Sequence, residues 1–129
     1  MGYRKRTLGP PRSEAQLQDR VWKNVIEAFP SAWVFHPVGG PYQTPGIPDL
    51  LIVIEGFFIA LELKFPRPGE SLDHARARAT PQQRQQIRRI NAAGGYACVV
   101  VSEEEAVRAI KRAFRKRDAA LREKGWSRG

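Results

Sequence analysis

The stretch from Gly46 to Lys64 constrains this chain more than any other. It holds two runs rich in Ile, Val, Leu and Phe, separated only by Glu55-Gly56. That pattern predicts two strands joined by a short hairpin. With the turn centred between residues 55 and 56, Ile54 faces Phe57, Ile52 faces Ile59, and Asp49 lands opposite Glu62. A loop with an odd number of residues would stagger these pairs by one.

Directly opposite residues share a face, with Cβ atoms roughly 4.5–5.5 Å apart. Lys64, two positions past Glu62, shares that face as well. Nearly every other position in both runs is apolar, which predicts a hairpin in the interior of a sheet. Two carboxylates and an ammonium are thereby gathered at one end of a buried hairpin. Desolvated like charges at that spacing cannot both stay ionised without a cation between them. Carboxylate oxygens suit Mg²⁺ or Mn²⁺, so Asp49 and Glu62 are candidate metal ligands. The bland alternative has Asp49 capping a strand and Glu62–Lys64 as a solvated pair.

The length, 129 residues, predicts one domain built on a single sheet and a few helices. A net charge of +9 and a pI near 10.4 point to a polyanionic partner, nucleic acid before an anionic membrane. No apolar run approaches a membrane span, and no apolar segment follows the basic N-terminal residues. The expectation is a cytoplasmic protein. The single cysteine, Cys98, lies in the apolar run Tyr96 to Val101 and reads as a buried thiol.

Residues 1–12 carry Arg4, Lys5, Arg6 and Arg12 without an acid, and read either as a flexible phosphate-touching arm or as a solubilising tail. Ser13, with Gln16 at N3, predicts a capped helix running to about Phe29, before Pro30. Its stripe of Leu17, Val21 and Val25, extended back one turn, reaches Glu14. Periodicity alone favours Glu14 as a first-turn acid over an inward-pointing one. Ala32 to Val38 predicts a short strand containing His36, a lone histidine without a second ligand at metal spacing. The following Gly/Pro loop, holding Tyr42 and Gln43, delivers Asp49 into the sheet.

Residues 65–79 read as a long connection bearing Arg67, Arg76 and Arg78. These arginines suit phosphate positioning, or belong to a surface loop and are incidental. Thr80-Pro81-Gln82-Gln83 is a strong helix start, and the helix ends at Gly94-Gly95. Ile87 and Ile90 mark its expected buried side. Gln83 lies on that side too, as a capping-box residue or with its amide aimed at the site. Tyr96 to Val101 predicts a strand parallel to the one bearing Glu62. A last helix follows Ser102, apolar along Val107, Ile110 and Phe114, with Arg108, Lys111, Arg112, Arg115, Lys116 and Arg117 as a basic face. Part of that face suits the helix dipole; its density favours nucleic-acid contact.

The order helix, three strands, helix, strand, with Asp49 on the second strand and Glu62-Leu63-Lys64 on the third, resembles the PD-(D/E)XK nuclease superfamily. Gly46-x-Pro48-Asp49-Leu50, Gly69, Thr80-Pro81-x-Gln83 and Gly95 are similar to its VRR-NUC branch. The resemblance implies a restriction-endonuclease-like αβββαβ core, a mixed-sheet α/β fold, with an extra C-terminal helix. It places the nuclease domain at 13–112, between a flexible basic arm (1–12) and the basic end of the C-terminal helix and tail (113–129).

The activity implied is Mg²⁺- or Mn²⁺-dependent hydrolysis of phosphodiester bonds in DNA, with no organic cofactor. Stand-alone members of this size resemble homodimeric enzymes acting on branched DNA such as Holliday junctions. Asp49, Glu62, Lys64 and Gln83 are then the catalytic set, with Glu14 and the Leu63 carbonyl as further metal ligands. The competing expectation is a non-catalytic nucleic-acid-binding module.

Overall fold

The computed structural model describes residues 9–40 and 43–125. Arg4, Lys5 and Arg6 of the basic arm, and Tyr42, lie outside them. The elements are α1 (Glu14–Ala28), β1 (Trp33–Phe35), β2 (Leu50–Ile54), β3 (Phe57–Leu63), α2 (Leu72–Ala77), α3 (Pro81–Ala92), β4 (Tyr96–Val100) and α4 (Glu103–Glu123). The sheet runs β1-β2-β3-β4, antiparallel except for the parallel β3–β4 pair. This is the expected αβββαβ core with its added C-terminal helix. Among the described residues no helix is long and apolar enough to cross a membrane.

The hairpin forms as its residues dictate. Glu55 and Gly56 both have positive φ, 50° and 76°, the two-residue turn whose twist matches paired strands. Ile54 pairs with Phe57, Ile52 with Ile59 and Leu50 with Leu61. Side chains alternate faces, so Ile52, Ile59, Leu61 and Leu63 point one way and are fully buried. Leu17, Val21 and Val25 of α1 and Ala106, Ala109, Ile110 and Ala113 of α4 complete that core. The small residues of α4 let α1 and the sheet approach closely. The opposite face carries Leu51, Val53, Phe58, Ala60 and Glu62. There α3 covers the β3–β4 half, with Gly95 wedged against Ile90 and the Phe58 backbone.

Four local expectations are corrected. The 65–79 connection is not all loop: Ser71 caps α2, its hydroxyl accepting the His74 N–H, and Ala75 is fully buried. The strand expected over Ala32 to Val38 contracts to Trp33–Phe35. In α3 no residue is fully buried; Ile87 and Ile90 are half-covered, because this helix lies over half of one sheet face with solvent on its outer side. At α1, Ser13 accepts from the Gln16 N–H, but the Gln16 side chain reaches Arg12 N rather than closing a capping box.

Candidate metal centre

Continuing the β2–β3 register one step past Leu50 and Leu61 sets Asp49 opposite Glu62. Glu62 is 2% exposed. Its Oε2 accepts from Gln83 Nε2 at 2.9 Å and lies 3.5 Å from Lys64 Nζ. Its Oε1 is buried without a hydrogen-bond partner among the described residues. Burial first, and then the charge of Asp49, pushes the Glu62 carboxyl up to about 8. A buried acceptor left bare beside a second carboxylate is costly as it stands. A cation between the two would satisfy both.

Asp49 is held from two sides. Its Oδ2 accepts the Leu63 N–H at 2.8 Å, and its backbone carbonyl accepts from His36 Nδ1 at 2.6 Å. The bond to Leu63 has a further consequence. The Lys64 N–H is spent on Val100 of β4, so by alternation the Leu63 N–H and C=O face β2. Continued register puts Pro48 opposite Leu63, and proline has no N–H to return. The Leu63 carbonyl is thus left without a donor from its strand partner, beside Asp49. Two carboxylates and one carbonyl form a hard-oxygen set that suits Mg²⁺ or Mn²⁺ retaining several waters.

Gln83 combines the two roles left open by the sequence. Its Oε1 accepts the Thr80 N–H at 2.9 Å and its own N–H donates to Thr80 Oγ1, closing a capping box. The amide nitrogen left over is the one bonded to Glu62. Gly46 brings the loop against this helix start. A Cβ on Gly46 would lie 2.3 Å from Gln82 O and 2.8 Å from Gln83 N, and its φ is +82°. Only glycine meets both demands. A cavity of about 280 Å³, lined by Pro37, Gln43 and Gly46 among others, adjoins Asp49.

The remaining candidates divide. Glu14 is exposed at the start of α1, and among the described residues no group of three or more His, Cys, Asp or Glu is gathered for a metal. Glu14 stands there as the first-turn acid that periodicity favours, because the packed stripe of α1 starts only at Leu17. Arg76 is paired with Glu105 and with Asp73. Arg78 is bound by Glu70 at 2.9 Å and donates to the Phe65 carbonyl at 2.6 Å. The Arg78 and Arg67 hydrogen bonds hold the Glu70 carboxyl down near 2. Arg76 and Arg78 therefore brace α2 within the chain. Arg67 is exposed.

On α4, Arg108, Lys111 and Arg115 are exposed and have no ion-pair partner among the described residues, while Arg112 donates to the Tyr96 hydroxyl at 2.8 Å. Cys98 is partly buried, its thiol pushed up to about 11 by desolvation, so it stays protonated. His36 escaped notice as a support for Asp49. Only the β1–β2 register, which puts Pro37 opposite Asp49, could have signalled it.

No protein-family model and no curated protein matches this chain. Among solved structures, one named "VRR_NUC domain" matches with a TM-score of 0.50 and 23% identity, over 73% of this chain and 94% of that one. The chain shares that domain's fold, in agreement with the fold expected from its residues.

Proposed function

We propose that the chain is a nuclease that hydrolyses phosphodiester bonds in DNA with a divalent cation held at Asp49, Glu62 and the Leu63 carbonyl. The observation that carries this is Glu62: buried, facing Asp49, with one oxygen fixed by Gln83 and Lys64 and the other bare. The cation would supply a Lewis acid for the phosphate and an acidified water. Lys64, half-buried beside Glu62, would donate to the phosphate oxygens as charge builds on them. Gln83 fixes the orientation of Glu62, and the Leu63 N–H fixes that of Asp49. The exposed Arg108, Lys111 and Arg115 would grip backbone phosphates without reading bases. Likeness to a VRR_NUC domain fold supports the nuclease reading; branched DNA as substrate and a homodimeric enzyme are further parts of the proposal.

The test is product formation from labelled linear, flap and four-way DNA with Mg²⁺ or Mn²⁺ against EDTA. Cleavage is expected only with metal, and Asp49→Asn or Lys64→Ala should lower the rate roughly 100-fold or more while DNA binding persists. Undiminished cleavage by these variants would overturn the site. Salt-dependent binding with no product under any metal would leave a binding module.

A further inference from the structure

The sheet face that carries the carboxylates is only half covered. Trp33 and Phe35 stand opposite Val53 and Leu51, and by alternation both share a face with Asp49 and Glu62. Their side chains form a stack, with ring centroids 5.7 Å apart and planes 9° from parallel. Trp33 is 54% and Phe35 46% exposed. An aromatic pair this open costs solvation free energy unless something covers it. Phe35 lies two residues along from the position paired with Asp49, about 7 Å, and one strand over, about 5 Å.

We propose that the Trp33–Phe35 stack is a platform for an unpaired nucleobase of the strand whose phosphate lies at the carboxylates. The proposal rests on the nuclease reading for the strand's position, and it narrows the substrate to DNA with a single-stranded or splayed segment. Charge selects this occupant. The chain has a net charge of +9, and α3, on the same face, carries exposed Arg84, Arg88 and Arg89 with no acid. A polyanion is attracted to that surface, whereas a second copy of the chain brings the same charge to it. The patch itself offers rings and aliphatic side chains, with Leu51, Val53 and Phe58 beside the stack. It suits a base face rather than a phosphate. A paired base keeps its faces inside the duplex, so only an unpaired one can extend the stack.

The experiment measures binding in EDTA, where nothing is cut. Fluorescence anisotropy is read with a labelled single strand, a flap and a blunt duplex, for the parent and for Trp33→Leu/Phe35→Leu. Both positions are exposed, so folding is checked by circular dichroism and expected to be retained. The double variant should bind the single strand and flap at least about fivefold more weakly, with duplex affinity changed less than about twofold. A 2-aminopurine base in the strand should be quenched by the parent and not by the variant. Equal losses on all three DNAs, or no loss, would overturn the proposal. So would a parent dimer that becomes a monomer in sedimentation of the variant without DNA, which would make the patch a subunit interface. If the fluorescence result holds but no metal supports cleavage of any DNA, the nuclease reading fails and the platform stands.

Discussion

Two buried glutamates occupy this small domain, and their surroundings are opposite. Glu103, at the start of α4, is 7% exposed. One of its oxygens accepts from Asn24 at 2.9 Å and the other lies 3.6 Å from Arg20, both on α1. Glu62 is buried more deeply, yet one oxygen is bare and its neighbour is another carboxylate. Glu103 is complete within the chain and ties α1 to α4. Glu62 is complete only with something added. The contrast separates a buried acid that holds a fold together from one that waits for a ligand.

Thermal unfolding in metal-free buffer should split the two most sharply. Glu103→Ala leaves Asn24 and Arg20 facing a gap and should cost about 3 kcal/mol, with no effect of Mg²⁺ on that loss. Glu62→Gln should instead raise the melting temperature at pH 8, because it removes a charge the interior disfavours. A fall for both variants would erase the distinction.

The pH dependence carries the same sign. The folded Glu62 carboxyl titrates near 8, above its ordinary 4.5, so the folded state holds its proton more tightly than the unfolded chain. Its contribution is fully present below about pH 4.5 and lost as pH rises through about 8. The parent without metal should therefore lose stability across this window, and Glu62→Gln should lack that component. Saturating Mn²⁺ should offset the loss at high pH. A parent curve identical to that of Glu62→Gln between pH 5 and 9 would contradict the assigned environment.

Gly46→Ala probes the loop that serves the Glu62 side. It forces a left-handed φ on alanine and a clash with the α3 backbone, and should cost about 2 kcal/mol. It should also weaken metal binding, since Gln83 sits in the turn that must move. The smallest effect is expected at His36. His36→Asn keeps a donor near the Nδ1 position, whereas His36→Gln moves it. Asn should hold Mn²⁺ affinity near the parent and Gln should lower it about tenfold, as read by calorimetry. Equal affinities would free Asp49 from dependence on His36.

The hairpin, its register and the pairing of Asp49 with Glu62 were legible in the sequence, because turn chemistry and alternation act between near neighbours. The Thr80–Gln83 capping box was legible for the same reason, spanning a single turn. What the chain does with its charges was not. Arg76 and Arg78 look free for phosphate until Glu105 and Glu70 are folded against them. Glu14 is a candidate ligand by resemblance alone, and the packed stripe of its helix starts one turn later. Glu103 reads as one of three first-turn acids until Asn24, 79 residues away, closes on it. Burial of a charge depends on which distant helix arrives to cover it, and only tertiary packing decides that. The same packing left one oxygen of Glu62 uncovered, and with it the candidate site.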